Sequence, residues 1–197
     1  MNTDAVREAY QAVCAEAGDG VTVVAATKYV ALEDMSVLAE AGIEAVGENR
    51  VQDMQRKHEL CGDRFRWHFI GALQSNKARV VNEICELVHA VDTESAARRL
   101  TIPSLLEVNL AGEASKSGIT ADEIGGYLER YPLICGLMTM PPFADDSESS
   151  RPYFRRLAQL AREHGLPQLS MGTSQDWLVA VEEGATLIRV GSTLFRS

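Results

Sequence analysis

Two kinds of apolar segment alternate along the chain. Short runs, VTVVAAT (21–27), IEAVG (43–47), WHFIG (67–71), LVHAV (87–91), SLLEVNL (104–110), CGLMTM (135–140), QLSMG (168–172) and TLIRVG (186–191), have the length of buried strands. Between them lie stretches with helical patterning: Leu32 to Ala41, Arg50 to Leu60, Gln74 to Cys85, Ala121 to Tyr131, Arg151 to His164 and Ser174 to Glu183. Ahead of the first strand, Ala5, Val6, Ala9, Tyr10, Val13 and Cys14 define a helix over Thr3 to Ala17. A Thr or Asp cap opens it, and Gly18 and Gly20 end it.

Eight strand candidates separated by helix candidates predict a TIM (β/α)8 barrel, a single domain over residues 1–197. A doubly wound sheet fits the alternation too, but eight strands favour closure. The length is below the roughly 250 residues typical of the barrel, so the connections must be short. Asp92 to Pro103 leaves room only for a short helix, and a short C-terminal piece follows the last strand. PPFADDSESS (141–150) reads as a solvated loop after the sixth strand.

Composition narrows the function classes. The chain is 46% hydrophobic and 24% charged, an ordinary globular balance, and its net charge of −9 disfavours nucleic acid and anionic membranes as partners. Cys14, Cys61, Cys85 and Cys135 are far apart, with neither zinc spacing nor a disulfide framework. With no signal-peptide pattern or membrane-length apolar run, a reduced cytoplasmic setting is expected.

In such a barrel, functional groups lie at the C-terminal ends of the strands, and phosphate is often held by the loops after strands seven and eight. Both carry glycine and hydroxyl residues here: Ser170-Met171-Gly172-Thr173-Ser174, then Gly191-Ser192-Thr193. Thr173 or Ser174 could equally cap the next helix. Across the rim, Lys28 ends the first strand. It is either a solvated strand end or a desolvated amine able to attack a carbonyl. Lysine and phosphate loops together fit a phosphosugar or pyridoxal phosphate. Arg189, sharing a strand face with Gly191, could meet a pyridine nitrogen and keep it unprotonated, or pair with a carboxylate such as Glu48. His68 reads as a hydrogen-bonded core or rim histidine, and Lys77, one turn into its helix, as a mouth or solvated residue.

VVAATKY with Lys28, GENRVQD (47–53), WHFIGALQSNK (67–77), VHAVD (88–92), EVNLAGEASKSG (107–118), GLMTM (136–140), LSMGTSQD (169–176) and IRVGSTLF (188–195) together resemble the pyridoxal phosphate homeostasis family. Those proteins are similar to the N-terminal barrel domain of alanine racemase. The resemblance covers the chain from about Val21 to Phe195. It implies pyridoxal 5'-phosphate held as a Schiff base on Lys28, with Arg189 facing the pyridine nitrogen and Asn49 lining the pocket. Ser170, Met171, Gly172 and Ser174 would grip the phosphate on one side, and Gly191, Ser192 and Thr193 on the other.

The resemblance also implies a protein that buffers cofactor and hands it to apo-enzymes, affecting amino-acid and keto-acid balance without catalysing a reaction; a monomer is expected. The runner-up is a racemase-like enzyme. Racemisation needs a base on each face of the reacting carbon, and Tyr29 points away if Lys28 points in. A Schiff-base aldolase ranks last, having only Glu48 as an acidic partner for Lys28. Arg50 stands where the family often has tyrosine, and the 92–103 segment and C-terminal tail are short for the family.

Overall fold

The computed structural model describes residues 1–112 and 117–195, so part of EVNLAGEASKSG (107–118) lies outside the described residues. Among these residues, eight parallel strands close into a barrel in sequence order: β1 (Thr22–Ala26), β2 (Ala45–Glu48), β3 (Arg66–Phe69), β4 (Leu87–Val91), β5 (Ser104–Glu107), β6 (Ile134–Met138), β7 (Gln168–Thr173) and β8 (Leu187–Val190). Closure comes from β1 against β8, where Val24 pairs with Arg189. The doubly wound alternative is therefore excluded. All eight expected strands form, because strands covered on both faces read as apolar runs.

Helix α1 (Thr3–Ala17) precedes the barrel, and Asn2 caps it by accepting the Ala5 N–H at 3.0 Å, in place of the expected Thr or Asp. Around the barrel follow α2 (Met35–Glu40), α3 (Val51–Cys61), α4 (Ala78–Ile84), α5 (Glu94–Ala97), α6 (Ile124–Arg130), α7 (Arg151–Glu163), α8 (Trp177–Glu182) and α9 (Ser192–Phe195). Several open with a 3-10 turn, including Ser75–Lys77 before α4. The short α5 is the abbreviated helix expected between Asp92 and Pro103.

Strand alternation divides the apolar residues into two sets. Val24, Ala45, Leu87, Leu105, Met138 and Leu187 pack together inside the barrel. Val23, Val46, Phe69, Leu106, Met171 and Ile188 pack outward with helix residues such as Met35, Met54 and Phe154. Each such fully buried side chain contributes about 1.5–3 kcal/mol of transfer free energy.

The 141–150 segment is more structured than a solvated loop. Its last four residues form a 3-10 turn, Ser147–Ser150. Arg151 ties Glu148 at the end of this segment to Glu182 and Glu183 at the end of α8. The Ser150 hydroxyl donates to Asp176 at 2.7 Å.

Candidate functional site

Parity places the interior side chains. Residues two apart on a strand share a face, so Leu187 brings Arg189 inside, Leu87 brings His89, and Leu105 brings Glu107. Ser170, between outward-facing Leu169 and Met171, also points inward.

Arg189 is buried, and its Nη2 donates to the Thr139 carbonyl at 3.2 Å and approaches Met140 Sδ at 3.0 Å. Burial pulls the guanidinium down to about 10, opposed by the charges of Glu107 and Asp176, so it stays positive at neutral pH. Glu107 accepts from the Ser117 hydroxyl at 3.0 Å, and burial raises its carboxyl above the usual range. Arg189 makes no pair with Glu48. Glu48 alternates with interior Ala45 and Gly47, lies on the helix side of the wall, and there meets Lys57 of α3.

Deeper in the barrel runs a polar column. Glu86 Oε1 lies 2.9 Å from His68 Nε2, His68 Nδ1 lies 2.8 Å from His89 Nε2, and His89 Nδ1 lies 2.7 Å from Ser170 Oγ. His68 is thus the hydrogen-bonded core histidine expected of it. Burial, then the charges of His68 and Arg189, push His89 well below the ordinary histidine range. Hydrogen bonds from His68 and then Arg66 hold Glu86 down at about 2 despite its partial burial.

The bounds of the first phosphate loop need correction. Ser170, Met171 and Gly172 do not follow the seventh strand but belong to it, because β7 continues to Thr173. Ser170 is engaged by His89 and Met171 packs outward in the helix layer. Gly172 has φ +89°, and a Cβ there would lie 2.6 Å from Ala180 Cβ and 2.9 Å from Trp177 Cα. Its lack of a side chain makes room for α8, and Gly172 also borders the cavity at the barrel mouth. Neither Thr173 nor Ser174 caps α8. Asp176 holds that position and instead accepts the Thr173 N–H at 2.7 Å.

What remains is a compact donor set. The backbone N–H groups of Gly191 and Thr193 converge on Ser174 Oγ at 2.9 and 3.3 Å, and Thr193 Oγ1 donates to the Ser174 carbonyl at 3.3 Å. Ser192 is exposed beside them. This cluster adjoins the end of β1, since a Cβ on Gly191 would come within 3.1 Å of the Ala26 carbonyl. Two residues beyond Ala26, Lys28 sits exposed in a turn, its Nζ 4.9 Å from the centre of the Tyr29 ring. Lys28 is therefore not desolvated here, and strand alternation does not separate it from Tyr29, because β1 has already ended. Asn49 and Arg50 are exposed just past β2, at the same mouth.

A cavity of about 110 Å³ opens at this end, bordered by Met140, Phe143, Thr173, Asp176 and Arg189. A larger hollow, about 370 Å³, lies along α7 outside the barrel and touches none of the site residues. The residues at the mouth fit pyridoxal phosphate chemically. Backbone N–H groups with a serine hydroxyl suit a phosphate, a buried cation suits an acceptor ring nitrogen, and a primary amine suits an aldehyde. Sequence reading missed Glu107, His89, Asp176 and Lys57. Glu107 and His89 are polar residues at interior positions of apolar runs, which is the signal that could have found them.

The chain matches the alanine racemase N-terminal domain family across residues 1–197. A curated relative from Aquifex aeolicus, named pyridoxal phosphate homeostasis protein, is 37% identical over 96% of this chain and 94% of its own. One of the same name from Schizosaccharomyces pombe is 34% identical over 91% of this chain and 85% of its own. PipY of Synechococcus elongatus, solved with pyridoxal phosphate bound, superposes with a TM-score of 0.86 at 30% identity, covering 96% of this chain and 99% of PipY. Alanine racemase of Corynebacterium glutamicum shares the fold, with a TM-score of 0.75 at 18% identity over 98% of this chain and 60% of the enzyme. By sequence and by fold, the chain belongs to the alanine racemase N-terminal domain family, within the group that contains the pyridoxal phosphate homeostasis proteins.

Proposed function

We propose that this protein binds pyridoxal 5'-phosphate at the C-terminal mouth of the barrel and serves cofactor homeostasis, buffering the cofactor and delivering it to apo-enzymes. The observation that carries this reading is the convergence of the Gly191 and Thr193 N–H groups on Ser174, beside the strand end that leads into Lys28. The cofactor supplies an aldehyde, which reacts reversibly with amines, and a phosphate for recognition. Lys28 supplies the amine. Its nitrogen bonds to the aldehyde carbon with release of one water, a linkage that a competing amine can reverse. Gly191, Ser192, Thr193 and Ser174 hold the phosphate, Arg189 faces the ring nitrogen, and Asn49 borders the opening. A guanidinium there, which keeps its own proton, leaves the ring nitrogen as an acceptor and disfavours carbanion chemistry.

A carrier fits better than a racemase. Racemisation requires a base on each face of the substrate carbon, and Tyr29 lies against Lys28, on its side of the site. Any racemase-like turnover is slow. The aldolase reading loses its acid, because Glu48 lies behind the barrel wall and is bonded to Lys57 and Thr27. Among the described residues no helix is long and apolar enough to cross a membrane. A reduced cytoplasmic setting is consistent with the four free cysteines.

The test is transfer. Protein loaded with pyridoxal phosphate should absorb visible light and reactivate an apo-enzyme on mixing, and Lys28→Ala should do neither. Enzyme-like racemisation of L-alanine by the loaded protein, abolished in Lys28→Ala, would overturn the carrier reading.

A further inference from the structure

Lys57 occupies a position that its helix otherwise gives to apolar side chains. The buried face of α3 consists of Val51, Met54, Lys57 and Cys61, and an ammonium buried there is costly unless it is matched. Its Nζ lies 2.5 Å from Glu48 Oε1 and 2.7 Å from the Thr27 carbonyl oxygen. The Thr27 hydroxyl donates to the same Glu48 oxygen at 2.7 Å. The other oxygen of this fully buried carboxylate, Oε2, has no hydrogen-bond partner, so matching of its charge falls to Lys57.

The object of these contacts is the residue immediately before Lys28. Thr27 N–H donates to the Gly47 carbonyl at 3.0 Å, and the Thr27 carbonyl accepts the Val30 N–H at 2.8 Å, closing the turn that contains Lys28 and Tyr29. Backbone and side chain of Thr27 are held on every side, while Lys28 itself is exposed. An exposed lysine in a short turn has many rotamers, and what can fix its origin is the backbone beneath it.

We propose that Lys57, together with Glu48, is the positioning residue for Lys28. It acts from behind the barrel wall by clamping Thr27, and it touches neither ligand nor the Lys28 side chain. The inference rests on the reading of Lys28 as the cofactor's covalent anchor. It assigns the pair a role distinct from catalysis: the clamp sets the origin and direction of the amine, so that bond formation with the aldehyde does not first require the turn to be ordered.

Removing Lys57 alone would strand the Glu48 charge in the core, so the informative variant is the double Glu48→Gln/Lys57→Met. It discharges both sites at similar volume, a change that buried ion pairs often tolerate, and it deletes the donor to the Thr27 carbonyl. Thr27→Val, which keeps the side-chain shape and loses only the hydroxyl, is a second variant with the fold preserved. Each is compared with wild type in thermal midpoint, in amide exchange at Val30 without cofactor, and in titration with pyridoxal phosphate followed by visible absorbance and borohydride reduction.

The double variant is expected to melt close to wild type, to exchange faster at Val30, and to bind about tenfold or more weakly, the scale of one lost charge-assisted hydrogen bond. Its visible maximum should shift as Lys28 loses its fixed approach. Thr27→Val should change in the same direction by less. Wild type carrying the reduced label on Lys28, with both variants matching it in exchange, affinity and spectrum, overturns this inference alone. Wild type carrying no label on Lys28 overturns the anchor reading and this inference together.

Discussion

His89 Nδ1 lies 2.7 Å from the Ser170 hydroxyl, tying β4 to β7 across the barrel interior. Because the His89 imidazole is fully buried beside His68 and Arg189, its protonated form is disfavoured in the folded chain. The sign of the consequence is fixed. A folded pKa below the unfolded value of about 6.5 means that the unfolded chain binds the extra proton, so stability falls as pH drops below about 6.5. Glu86, held at about 2, contributes stability that is lost only below about 4.3, the unfolded value. Glu107 and Asp92, raised by burial, act in the opposite sense above their unfolded values. Urea midpoints at pH 7.5 and 5.5 should therefore differ more for wild type than for His89→Asn. Equal slopes for the two proteins would contradict the assignment.

Gly172→Ala tests the packing role given to that glycine. At φ +89° a side chain is strained, and its Cβ would press on Ala180 and Trp177 of α8. A loss of roughly 2–4 kcal/mol is expected from strain and overpacking combined, measured by urea unfolding. An unaffected midpoint would show that α8 yields freely at this contact.

The phosphate assignment is separable from the aldehyde assignment by charge. Ser174→Asp places a carboxylate against the Gly191 and Thr193 N–H groups, satisfying them while repelling a phosphate. Affinity for pyridoxal phosphate should fall about 100-fold or more, the cost of opposing like charges at close range. Affinity for pyridoxal, which lacks the phosphate, should change little. A parallel loss for both ligands would place the phosphate elsewhere.

The barrel was legible because its strands are covered on both faces and so appear as apolar runs, each starting within two residues of the observed strand. The connections were legible as helices, with their 3-10 openings invisible to periodicity. The site was harder to read for a geometric reason. Glycine in LSMG looked like the start of a loop, yet β7 runs through Gly172, whose missing side chain makes room for α8. Of the two readings of Lys28, a solvated strand end or a desolvated amine, the structure agrees with the solvated one, because β1 stops at Ala26 and the lysine emerges in an exposed turn. The pairings His68–His89 and Lys57–Glu48 join different elements, and only the closed barrel and the docked helix bring those residues together. Ser174, Gly191 and Thr193 were read correctly as neighbours because loops after the last two strands necessarily adjoin.

The site as proposed depends above all on Lys28 as the covalent anchor for pyridoxal phosphate. The most direct measurement is borohydride reduction of the loaded protein, followed by proteolysis and mass analysis of the peptide containing residues 23–29. One reduced cofactor adduct is expected, on Lys28, with no adduct in that peptide from Lys28→Ala. An adduct on another lysine, with the 23–29 peptide unmodified, would contradict the anchor assignment.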